Sequence, residues 1–219
     1  MNKKMIQNIF LGIVLLLMYL PILILAVYSF MDSAIIGKSG SFTVKNYVYL
    51  FHSEDLRAMI FGTLILALVV AVISTILGTL GAIGAFYSSK KLKRPIHLMN
   101  QIPVVNADVV TGFSICVLLI VFFKMDKASY IPLVIGLVSL CSPFVYLSVI
   151  PRLKQMDPQL YEAALDLGCS PFGALRKVVL PQLTSGIVSG FMMSITLTLD
   201  DYFITTYTKP SMFNTISTY

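Results

Sequence analysis

The chain has 219 residues, of which 57% are apolar and only 12% charged, with a mean hydropathy of +0.87 and a net charge of +6. Polar surface is too scarce to cover a soluble domain, so the composition excludes one and describes a membrane protein. The positive balance is then a matter of topology, and it is not read as a nucleic-acid-binding surface.

Four apolar runs reach the roughly 20 residues that a helix needs to cross a bilayer core. They are Ile9 to Phe30, Met59 to Tyr87, Ile102 to Phe123 and Ile131 to Ile150; a fifth, Leu183 to Tyr207, is more polar but long enough. The first run follows Lys3 and Lys4, yet it exceeds the roughly 7–15 residues of a signal-peptide core and has no Ala-x-Ala site after it. It is read as an uncleaved span. With the N-terminus inside, ten of the 16 Lys and Arg residues fall in inner segments and six in outer ones, the bias that retains basic loops in the cytoplasm. The cluster Lys90 to Arg94 belongs to the inner set and suits anionic headgroups.

Between the first two spans, the outer stretch Met31 to Ala58 contains Phe42 to Phe51, a segment with the aromatic content of a short interfacial helix or strand. In the spans, Gly78, Gly81, Ala82 and Ala85, and the pair Gly186 and Gly190, provide small-residue faces for helix packing. Pro103, Pro132 and Pro143 kink or start helices. Cys116, Cys141 and Cys169 have no CxxC spacing, and His52 and His97 fall on opposite sides of the membrane; neither group suggests a metal site. The expected fold class is all-α, a polytopic transmembrane bundle forming a single domain over residues 1–219.

The inner segment 151–181 carries strong punctuation. Asp157 before Pro158 starts a helix, and Gly168 can take the positive φ that ends it. Ser170 before Pro171 starts a second helix, which Pro181 is expected to break. On the first helix Leu160, Ala163, Ala164 and Leu167 recur at helical spacing, an apolar stripe that either packs on the chain's own spans or fills a groove in a partner.

Three carboxylates lie within spans, Asp108 in the third and Asp200 and Asp201 in the fifth. Each costs on the order of 3 kcal/mol near mid-membrane. On a regular helix both sites fall in the outer half of the bilayer. Gly186, Gly190, Ser194, Thr198, Asp201 and Thr205 trace one small and polar face, expected to line a pathway. Asp200 is turned by roughly 100° from Asp201 and either faces that pathway or caps the outer helix end. No Lys or Arg lies inside a span to pair these acids, so a cationic substrate would supply the missing charge. Tyr202, Phe203 and Tyr207 could add cation–π contacts, although membrane-interface belts are the commoner use of such residues.

The run Glu162-Ala163-Ala164, then Asp166-Leu167-Gly168, then nine residues later Val178-Val179-Leu180-Pro181, resembles the EAA loop of bacterial ABC import permeases. That resemblance implies that Glu162, Ala163, Ala164, Asp166, Gly168, Leu180 and Pro181 couple to an ATPase, and that the chain catalyses nothing and holds no cofactor, ATP being bound by partner subunits. The chain has no Gly-x-x-x-x-Gly-Lys-Ser/Thr loop of its own. Over essentially the whole chain, Ser194 to Thr205 with its Asp200-Asp201 pair, and Ala107-Asp108-Val109-Val110, resemble the second permease of spermidine/putrescine importers. Carried over residue by residue, Asp108, Thr198, Asp200 and Asp201 become the pathway residues for a small cationic substrate. The implied partners are a homologous permease subunit, two ATP-binding subunits and an extracytoplasmic substrate-binding protein, in the bacterial inner membrane and without nucleic acid. Asn46, Ala107 and Gly62 depart from the polyamine pattern. The family's sixth span is also missing, which suggests a truncated chain or one part of a longer product.

An importer for iron, thiamine, an opine or an aminophosphonate fits the same loop. A secondary transporter with an Asp108 and Asp201 ion relay is a further alternative. An intramembrane aspartyl protease would need the Gly-x-Gly-Asp that this sequence lacks.

Overall fold

Small residues decide where the helices of this chain approach one another, and the computed structural model shows where. It describes residues 3–32, 40–106, 108–126, 128–157, 159–211 and 213–219, so Lys38, Ala107, Lys127 and Pro158 lie outside the described residues. The helices are α1 (Lys3–Ser29), α2 (Lys45–His52), α3 (Glu54–Tyr87), α4 (Lys90–Val105), α5 (Asp108–Cys116), α6 (Ile131–Gln155), α7 (Gln159–Asp166), α8 (Pro171–Ala174), α9 (Leu180–Asp200) and α10 (Phe203–Thr208). π-Helical turns at Val117–Phe122 and Leu175–Val179 extend α5 and join α8 to α9. Among the described residues the fold is all-α, with four helices long and apolar enough to cross a membrane, or five when α4 and α5 count as one bent span.

The chain forms two compact units, Met1–Ala58 and Met59–Tyr219. In the first, α1 is apolar on every side, as a helix that crosses a bilayer is. Its end is held by the segment that follows. Asn46 Nδ2 donates to the carbonyls of Ser29 (3.3 Å) and Met31 (3.1 Å), Ser29 Oγ meets Tyr47 Oη at 2.6 Å, and the Phe30 ring stacks on Phe42 at 5.5 Å. The aromatic stretch left open between helix and strand is thus α2 preceded by one antiparallel bridge, Met31 to Phe42. Asn46 has a local reason: it satisfies carbonyls that the end of a helix leaves without partners.

In the second unit, α3 and α9 both close on α6 at Val145. A Cβ on Gly78 would lie 2.6 Å from Val145 Cβ, and one on Gly190 would lie 3.0 Å from Val145 Cγ1. Gly186 continues the seam, against the carbonyl of Ser148 at 3.0 Å. Below this crossing, Val149, Leu153, Val179 and Leu183 form one buried cluster; above it, Leu133, Leu137, Cys141 and Ile204 form another. Ile204 of α10 is wedged between two glycines, Gly112 of α5 and Gly136 of α6.

Three sequence expectations are corrected. The third span is not one helix over 102–123: α4 ends at Val105, Asn106 is extended, and α4 and α5 with its π turn meet at 106°. Asn106 and Asp108 flank the corner, and short polar side chains of this kind compete with a helix for its own backbone groups. The depth of Asp108 therefore cannot be counted along a straight helix from Arg94. The fifth span is likewise not one helix over 183–207, because α9 stops at Asp200 and Asp201 is extended (φ −66°, ψ 121°). Finally, Pro181 does not break the chain. The helical run from Pro171 to Asp200 is unbroken over 30 residues, the turn at Leu175–Val179 being π-helical just before a proline that has no N–H to donate.

Candidate functional site

Two regions bring together the residues that the sequence marks, the loop 151–181 and the α9–α10 junction.

In the loop, Asp157 Oδ1 accepts from Gln159 N (3.0 Å) at the start of α7. The other end closes with Gly168 at φ +82°: Gly168 N donates to Leu165 O (2.9 Å) and Cys169 N to Ala164 O (3.0 Å). That pair of bonds is a Schellman motif, which glycine accommodates without a Cβ penalty. Ser170 Oγ then accepts from Gly173 N (3.1 Å) to cap α8.

The apolar stripe on α7 divides. Ala164 is 6% exposed and the Tyr161 ring lies 5.0 Å from that of Tyr87, so one side of α7 is anchored on the chain's own cluster. Leu160, Ala163 and Leu167 face outward, Leu167 at 86% exposure, and Phe172 across the corner is 74% exposed. Glu162, Asp166 and Gly168 are exposed among them, while Leu180 is half-buried and Pro181 exposed. The corner therefore presents apolar groups ringed by two carboxylates, held by an anchored back face.

At the α9–α10 junction, Asp201 is 8% exposed, and its Oδ2 accepts from both Thr205 N and Thr205 Oγ1 at 2.8 Å. It is the side chain that starts α10. Asp200, the last residue of α9, is exposed. The carbonyl of Asp201 accepts from Ser217 Oγ (2.9 Å), and Ile216 N donates to Thr63 Oγ1 (3.2 Å), so residues 215–219 lie against the ends of α9 and α3. The sequence alone offered no signal for this tail, because its partners are a distant threonine hydroxyl and backbone carbonyls.

Asp108 joins these acids through packing. Contacts between α5 and α10 advance in the same direction along both: Gly112 on Ile204, Phe113 on Tyr207 with ring centroids 6.0 Å apart, and Cys116 Sγ to the Tyr207 carbonyl at 3.4 Å. The two helices thus run parallel, with Asp108 at the start of one and Asp201 at the start of the other. Thr198, by contrast, is buried toward α6: its Oγ1 donates to Ser194 O (2.8 Å) and lies 3.6 Å from Cys141 Sγ. Gly186, Gly190, Ser194 and Thr198 form a packing face against α6, and the expected continuous polar face along span 5 ends where the helix ends.

These features define a polytopic helical membrane protein with an exposed helix–glycine–helix corner on one side and an acidic, broken span on the other. The family model for the binding-protein-dependent transport system inner membrane component matches residues 76–218, which includes both regions, and the chain belongs to that family. The spermidine/putrescine transport system permease protein PotC of Escherichia coli (strain K12) is 30% identical over 213 residues, covering 96% of this chain and 80% of that protein. The putrescine transport system permease protein PotI of the same strain is 29% identical over 202 residues, covering 87% and 69%. A crystal structure of an amino acid ABC transporter with histidines superposes with a TM-score of 0.50 at 21% identity, over 70% of this chain and 71% of that one; it supports the fold alone.

Proposed function

We propose that this ABC importer permease carries polyamines, moved by ATP hydrolysis in partner subunits that dock on the 151–181 corner. The observation that carries the substrate reading is the junction itself. The C-terminal end of α9, with its partial negative charge, coincides with Asp200 and Asp201, and the parallel packing of α5 on α10 puts Asp108 at the same end of that pair. Three carboxylates in apolar runs that hold no Lys or Arg of their own are costly in a membrane unless a cation visits them. The likeness to polyamine permeases points to the same class of substrate.

In this reading Asp108, Asp200 and Asp201 meet the ammonium groups of the substrate, and Thr198 buttresses them from the α6 interface. Broken spans with polar backbone at the break are a recurrent way to build such a site. The corner displays Leu160, Ala163, Leu167 and Phe172 to a groove in an ATP-binding subunit, with Glu162 and Asp166 facing basic groups there. A homologous permease completes the pathway, two ATP-binding subunits supply the energy, and an extracytoplasmic binding protein delivers the substrate. The N-terminus and the corner are cytoplasmic. The chain itself needs no cofactor or metal and performs no covalent chemistry.

The test is uptake of labelled spermidine and putrescine into vesicles containing the whole transporter, with Asp200→Asn and Asp201→Asn. Each should reduce uptake at least tenfold while leaving membrane insertion intact. Unchanged kinetics in both would end the cation-site reading, and transport of another solute with no polyamine competition would end the substrate assignment.

A further inference from the structure

The strongest feature outside these regions is a cavity of about 480 Å³ between the ends of α3, α4 and α6 on the membrane face that carries the corner. Its charge is sorted by depth. Lys93 and Arg94 of α4 and Lys154 of α6 are exposed at the rim, whereas Ile150 and Tyr146, one and two turns deeper on α6, form a mostly apolar wall about 12 Å long with Phe86 of α3, joined by His97 of α4, whose ring lies 6.2 Å from that of Tyr146. No carboxylate is among the residues lining it. The Lys93 ammonium lies 5.1 Å above the Phe86 ring, which poises the charge over the apolar wall.

A rim of three cations above an apolar slot is complementary to one common molecule of this environment. We propose that the cavity binds an anionic phospholipid, its phosphate held by Lys93, Arg94 and Lys154 and its first acyl segment lying along Phe86, Ile150 and Tyr146. Small soluble anions would use the rim and leave the apolar wall wet, and a neutral lipid would leave three cations uncompensated. The occupant touches both α6, which leads directly into the corner, and α4, which leads to the bend before Asp108. It therefore ties together two segments that move relative to each other if the transporter changes shape. The inference does not depend on the identity of the transported solute.

The test uses the purified complete transporter in nanodiscs of phosphatidylglycerol or phosphatidylcholine, with retained lipid counted by native mass spectrometry after extraction. Phosphatidylglycerol should be retained in preference. K93Q/R94Q/K154Q should weaken its binding on the order of a hundredfold, about fivefold per charge removed. The arginine and lysine exchange K93R/R94K should retain it. Equal retention of the two lipids, or undiminished phosphatidylglycerol on a folded triple variant, overturns the proposal. So does displacement of the lipid by millimolar inorganic phosphate, which would make the rim a soluble-anion site. Should the triple variant fail to assemble, K154Q alone is read for its fivefold effect, and no effect there counts against the site.

Discussion

At the residue scale, Asp201 caps α10 and, on the proposed reading, also meets the substrate, and its substitutions can separate the two. An amide at this position still accepts from Thr205 N, so Asp201→Asn keeps the start of α10 while removing charge. Asp201→Ala also leaves a buried N–H without its partner, at a cost of about 1–3 kcal/mol. The expected outcome is lost uptake in both variants but a lowered thermal midpoint in the complex only for alanine; equal destabilisation would mean that the charge itself holds the fold. Gly78 makes a second residue-scale prediction. A valine there would force its Cβ to within 2.6 Å of Val145, an overpacking that costs about 1–3 kcal/mol, and it should reduce the yield of folded protein on size-exclusion chromatography.

At the element scale, the corner was legible and the two breaks were not. Asp157, Gly168 and Ser170 act through bonds within a few residues of themselves, which is why spacing alone located α7, its Schellman end and the start of α8. The bend after Val105 and the stop at Asp200 occur inside runs that remain apolar enough on average to cross a bilayer, so length and apolarity drew straight spans through both. Their signals were the polar residues Asn106, Asp108, Asp200 and Asp201, legible as chemistry and not as punctuation. Thr198 shows what spacing leaves open: helical spacing set it on one face with Gly186, Gly190 and Ser194, and packing against Cys141 decides where that face points. For the corner, Gly168→Ala should cost about 1–2 kcal/mol locally because Gly168 sits at φ +82°. Gly168→Asp should add a charge at the docking surface, and transport should fall while the permease still reaches the membrane. Normal ATPase co-purification together with normal transport would remove the corner from the coupling role.

At the scale of the whole molecule, the all-α fold followed from composition, and the direction of insertion from counting basic residues. The first is visible in the helices; the second makes its own prediction. In a Cys116→Ser, Cys141→Ser background, a thiol reagent that cannot cross the membrane should label Cys169 in inside-out vesicles and not in intact cells. Labelling in intact cells would invert the topology and put the corner beyond the reach of any cytoplasmic ATPase.

In the proposed mechanism the unbroken run from Pro171 to Asp200 would act as a lever arm. Thirty residues of helix measure about 45 Å, with the corner at one end and the acidic pair at the other. The π turn carries the helix past Pro181 without a break, so on the proposed reading a push on the corner would be passed along one continuous helix to the far end. A tilt of about 10° around the midpoint would swing each tip by about 4 Å, more than the length of a hydrogen bond. The fulcrum is where Gly186 and Gly190 seat the arm on α6, close to its middle. A bulky residue at either glycine would therefore alter the stroke as well as the packing.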